Sequence, residues 1–227
     1  KGKWLSRLSE GFDTGPMKYF GRQFSALADL FTILILYFLV ARLYNRKVAL
    51  LAAAFSSLAV MQIQQSHFFT VDLFMNPFMF AALYFAVRIA YDGRQVDTYT
   101  GTQEEVPTLD TRRPSLIREP LFWHSLLFGI FLGMAAASKI NAVVMAVVLP
   151  VALWLRLSNQ SSVNSDQSTS KKLNTGHWSL ITLYLVLGGL ATILAFRVLQ
   201  PYAFDTILPN EQWLKNMQEI RAQATGL

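Results

Sequence analysis

The segment QQSHFFTVD, residues 64–72, sets an imidazole, a hydroxyl and a carboxylate between two long apolar runs. On an uninterrupted helix His67 and Asp72 would lie about 140° apart around the axis, so they share a face only if the helix breaks between them. Thr70 supplies an N-cap for such a restart. Asp72 then falls in the first turn, where the helix dipole stabilises a carboxylate. Two readings stay open. Thr70 and Asp72 cap a helix while His67 sits at an interface, or His67 and Asp72 stand at a cavity mouth and hold a polar ligand or orient a catalytic group.

Lys139 lies in GMAAASKINAVV, between two apolar stretches and beside Asn141. It either snorkels to lipid headgroups or offers its ammonium to an anionic lipid phosphate. Arg197, just before LQPYAF, can supply a second such charge. Asp29 sits inside FSALADLFTILILYFLV, where a mid-bilayer charge costs about 2.5–3.5 kcal/mol. A helix-packing ion pair is expected for it, with Arg22 two turns earlier on the same face. His124 and His177 flank apolar runs and are expected to be structural. The three histidines lack metal-ligand spacing, no P-loop, GxGxxG or GxSxG motif occurs, and the absence of cysteine removes thiolate chemistry. The site expected from these residues is His67, Asp72, Lys139, Asn141 and Arg197, with no metal ligands.

The elements that must position these groups are set by hydropathy. Of the chain, 53% is hydrophobic and 15% charged, and the charges fall in islands between apolar runs. Runs of about 15–20 residues cross a hydrocarbon core, so the expected fold is all-α, a polytopic membrane bundle of about six transmembrane helices. The candidate spans are 24–43, 48–63, 71–90, 121–137, 141–156 and 178–197, the second and fifth short enough to be re-entrant. Asn76 before Pro77 reads as a kink or restart. Expected domains are an external loop end over 1–23, a bundle over 24–197 with disordered cytoplasmic loops near 91–120 and 157–177, and an external segment over 198–227.

In that last segment Trp213, Met217, Ile220 and Ala224 recur at helical spacing after Pro209 and Asn210, which predicts an interfacial or docking helix. Eleven lysines and arginines collect in the loops after the first, third and fifth spans, which assigns those loops to the cytoplasm. QQSHFFTVD, SKIN and the tail then face outward. The net charge of +6 follows this topology, and without basic runs interleaved with aromatics a nucleic-acid partner is not expected.

GRQFSALADLFTILILYFLVARLYNRKVALLAAAFSSLAVMQIQQSHFFTVDLF, then GMAAASKINAVV, then FRVLQPYAF and NEQWL, resemble the GT-C membrane glycosyltransferases. The likeness is to the bacterial branch related to dolichyl-phosphate-mannose protein mannosyltransferases and aminoarabinose transferases. The resemblance implies a GT-C-like fold in the plasma (inner) membrane, with the active site facing outward. It implies inverting transfer from a polyprenyl-phosphate-linked sugar to a hydroxyl of an acceptor protein or glycolipid. A carboxylate acts as base, and cations such as Lys139 and Arg197 stabilise the departing lipid phosphate.

His67 and Asp72 are implied as site-lining residues of an outward turn. The family's catalytic acid lies in an earlier external loop and is expected upstream of Lys1, so the chain reads as a fragment. Relatives differ in their use of a divalent metal, which stays open here. The rival reading is a transporter or lipid-handling protein, with Asp29, Asp72 and Lys139 along its path. A third is a noncatalytic scaffold whose tail helix recruits a partner.

Overall fold

A computed structural model describes residues 15–66, 71–91, 120–164, 175–206 and 208–225. His67, Thr70 and most of the two polar loops lie outside the described residues. The elements run α1 (Gly15–Leu43), α2 (Arg46–Ser57), α3 (Val60–Ser66), α4 (Val71–Tyr91) and α5 (Pro120–Ser138). A 3-10 segment, Ile140–Val147, leads into α6 (Val148–Asn164). Then come α7 (Thr175–Leu199), a 3-10 turn (Pro201–Ala203), β1 (Phe204–Asp205), β2 (Leu208–Pro209) and α8 (Glu211–Thr225).

The protein is an all-α membrane protein. Five helical stretches are long and apolar enough to cross a bilayer: Phe20–Leu43, Asp72–Tyr91, Pro120–Ser138, Ile140–Ser158 and Ile181–Leu199. The expected run 48–63 forms instead as two short helices, α2 and α3, parted at Leu58 and Ala59. At the break the Leu58 amide still closes on the Ala54 carbonyl at 3.1 Å, which also accepts from Ser57 Oγ at 2.8 Å, and the Ala59 amide turns back to the Ser56 carbonyl at 3.2 Å.

Two helix ends also differ from expectation, and the residue pair read as a kink or restart lies within one helix. The first helix begins at Gly15 with Pro16 beside its start, where a fixed φ and a missing N–H suit a first turn. Residues 157–164, expected as loop, continue α6, since SNQSSVN contains neither glycine nor proline to stop it. Pro77 lies inside α4, which runs through it without a restart.

The chain divides into two compact units, Lys1–Phe80 and Ala81–Leu227. In the first, α1 packs on α2 and α3, and the α1–α2 connection is closed by Asn45, whose side chain accepts from the Val48 amide at 2.9 Å as an N-cap. Phe20, Phe24, Phe31 and Phe38 stay exposed along α1, an apolar face on a helix long and apolar enough to cross a bilayer.

In the second unit Ala82, Ala86 and Ile89 of α4 meet Phe128 and Leu132 of α5, Leu149 and Leu153 of α6, and Tyr184 of α7. The α5–α7 pair approaches most closely where side chains vanish. A β-carbon on Gly129 would lie 2.2 Å from the Gly188 carbonyl oxygen, and one on Gly133 2.5 Å from that of Thr192. In lipid, where burial against water drives little helix pairing, such close backbone approach supplies the dispersion that holds helices together.

Candidate functional site

Lys139 is the residue at which α5 stops. Its amide still closes on the Ala135 carbonyl at 2.9 Å, but its own backbone is extended, φ −151° and ψ 119°. Its carbonyl then receives the Ala142 amide at 3.0 Å and opens the 3-10 segment. The chain thus turns on Lys139 itself, which is half-buried, while Asn141 projects from the first turn of the next segment and is exposed.

Arg197 occupies the last turn of α7. Its Nη2 donates to the Thr206 carbonyl, and its guanidinium lies over the Phe204 ring, 5.2 Å from the centroid. Thr206 stands in the β1–β2 turn with φ 64°, a left-handed conformation unfavourable for a β-branched residue. Phe196 adds edge contacts to Phe204 and to Trp213, with centroids 5.7 and 6.3 Å apart.

Asn210 closes the segment. Its backbone amide reaches Ala203 at 2.9 Å, and its side-chain oxygen caps α8 by accepting from the Gln212 amide at 2.8 Å. Trp213 and Met217 are half-buried, while Gln212, Lys215, Gln218 and Glu219 are exposed. The tail helix is therefore seated on the end of α7 through Trp213.

Lys139, Asn141 and Arg197 belong to one unit and lie at one end of its helices, because Gln200 just past α7 donates to Ala137 just before the end of α5, at 3.0 Å. The other end carries Arg156, whose Nη1 donates to the Ile89 carbonyl at 3.1 Å and fills one of the unpaired acceptors at the close of α4. His124 is buried near this end with its ring 6.0 Å from that of Phe85.

Asp72, in the first turn of α4, is half-buried and belongs to the first unit. In that unit the expected partner of Asp29 is replaced. Arg22 is exposed, and the Asp29 carboxylate accepts a hydrogen bond from the Gln62 side chain, whose oxygen in turn accepts from Ser56 Oγ at 2.9 Å. A carboxylate inside a span is thereby held by a neutral donor from another helix. Gln62, Gln200 and Arg156 were not singled out by sequence, and only the placement of polar residues at the ends of apolar runs hinted at them. Among the described residues no group of three or more histidine, aspartate or glutamate side chains is arranged to hold a metal.

The long apolar helices define an integral membrane protein. Residues 15–101 match the sequence profile of the family described as dolichyl-phosphate-mannose-protein mannosyltransferase. The match runs through α1–α4, covers less than half of the chain, and supports a membrane glycosyltransferase of the mannosyltransferase type within the GT-C superfamily. It includes Asp29, His67 and Asp72 and stops before Lys139, Asn141 and Arg197. Neither the curated proteins nor the solved structures give a match.

Proposed function

We propose that the protein transfers a sugar from a polyprenyl-phosphate donor to an acceptor hydroxyl at the outer face of the plasma (inner) membrane, with inversion at the anomeric carbon. The acceptor oxygen attacks the anomeric carbon as a general base takes its proton, and the bond to the lipid phosphate breaks with its electrons on the phosphate. Lys139 and Arg197 meet that developing charge, and Asn141 donates beside them. Arg197 can do so while anchoring the turn, because a guanidinium carries five N–H donors and Thr206 takes one. His67 and Asp72 are assigned to the sugar or acceptor from their place in the matched segment.

The observation that carries this reading is Lys139 itself. It is an ammonium at the point where a membrane span reverses, in the same unit and at the same helix end as Arg197, in a chain whose residues 15–101 match the dolichyl-phosphate-mannose-protein mannosyltransferase profile. The Asp29–Gln62–Ser56 chain, which begins on a carboxylate inside a candidate span, favours the rival reading, a transporter or lipid-handling protein.

One experiment separates them. The full-length protein is reconstituted in liposomes with polyprenyl-phosphate mannose or aminoarabinose and a hydroxyl acceptor, and sugar transfer and solute flux are measured in parallel. Transfer without flux, with donor KM raised about tenfold or more by Lys139→Ala, is expected. Flux without transfer would overturn the proposal.

A further inference from the structure

We propose that Gln200 is a positioning residue for Lys139, an assignment that deepens the reading of Lys139 as a contact for the donor phosphate. The last carbonyls of a helix have no amide of their own to accept from. Ala137 carries one of these, a residue short of the end of α5, and Gln200 Nε2 supplies the missing donor at 3.0 Å from 63 residues away in sequence.

Gln200 is itself fixed on both sides. Its amide donates to the Phe196 carbonyl at 2.8 Å, closing α7, and its carbonyl accepts from Ala203 at 3.1 Å, opening the 3-10 turn. The side chain therefore leaves from a backbone that cannot drift, and it pins the carbonyl two residues before Lys139. The direction in which Lys139 departs from α5 is set by this junction. The same junction begins the β1–β2 turn that Arg197 and Phe196 hold. Both cations assigned to the phosphate are thus referred to a single residue, whose side chain is engaged by the Ala137 carbonyl.

The test uses the full-length protein in nanodiscs, with Gln200→Met, Gln200→Glu and Lys139→Ala variants. Gln200→Met keeps the length of the side chain and removes the donor. Gln200→Glu sets an acceptor against the Ala137 carbonyl while ionised and recovers an O–H donor once protonated. Two readouts are taken: kcat and donor KM across pH, and, without substrate, the rate at which Lys139 is acylated by a water-soluble active ester, read by mass spectrometry.

Gln200→Met is expected to raise donor KM roughly tenfold with kcat within about twofold, the size of one lost hydrogen bond, and to change the Lys139 acylation rate. Gln200→Glu should match it at neutral pH and return toward wild type in mild acid, a reversal that misfolding does not produce. If Lys139→Ala weakens donor binding while neither Gln200 variant alters KM or acylation, the positioning role is overturned and the donor reading stands. If Lys139→Ala binds donor normally while Gln200→Met changes acylation, the donor reading fails and the positioning of Lys139 stands.

Discussion

The Asp29 carboxylate accepts the side-chain amide of Gln62, and that amide group's oxygen is held in turn by Ser56. A carboxylate within an apolar span is costly unless polar partners replace its water. Here the partners come from α2 and α3, on either side of the helix break, so one bond serves both the charge on α1 and the placement of α3.

Removing the donor should therefore hurt more than neutralising the acceptor. Gln62→Leu leaves the carboxylate without its amide and is expected to destabilise the protein by about 1–2 kcal/mol, whereas Asp29→Asn keeps an oxygen facing Gln62 and loses little. Reversible unfolding in mixed micelles would measure both. A Gln62→Leu protein as stable as wild type would show that the bond carries no weight.

How far these features could be read from residues alone follows from their range. Apolar runs long enough to span lipid are a local property, so the all-α membrane fold and five of the six expected spans were legible in the sequence. The split of 48–63 was not, because neither glycine nor proline marks it in the sequence. The Asp29 partner failed for a different reason. Arg22 was near in sequence and oppositely charged, while Gln62 is 33 residues away and neutral. Lys139 was visible as a cation at a turn, but Gln200, which fixes that turn, looks like any polar residue after a span.

The glycines of the α5–α7 seam divide sharply by position. Gly129→Ala and Gly133→Ala would each drive a methyl into backbone atoms of α7, and overpacking of this kind costs about 1–3 kcal/mol. Gly189 has nothing within 4 Å of where a β-carbon would stand, so Gly189→Ala should be neutral or stabilising by up to about 1 kcal/mol through helix propensity. Thermal unfolding of the three variants is the measurement. Equal midpoints would mean that the seam tolerates separation.

At the opposite end of the same unit, Arg156 satisfies the Ile89 carbonyl. Arg156→Met preserves much of the apolar stem and removes the donor, so the end of α4 should fray, costing about 1 kcal/mol. Hydrogen exchange should quicken in the last turn of α4 and stay unchanged in α7. Protection equal to wild type throughout would count against a capping role.

Arg197 is asked to do two things, and substitution can separate them. Its planar fork donates to Thr206 while lying on Phe204, a combination that a lysine cannot reproduce, although lysine keeps the charge that a phosphate would meet. Arg197→Lys is expected to hold donor KM within about threefold of wild type while the β1–β2 turn becomes more open to proteolysis; Arg197→Ala should lose both. Thr206→Gly relieves the left-handed backbone at φ 64° and should reduce cleavage at the turn when Arg197 is present. If Arg197→Lys loses donor affinity as fully as Arg197→Ala, the guanidinium geometry rather than its charge governs donor binding. If turn cleavage is the same in all four proteins, the Thr206 contact does not hold the turn.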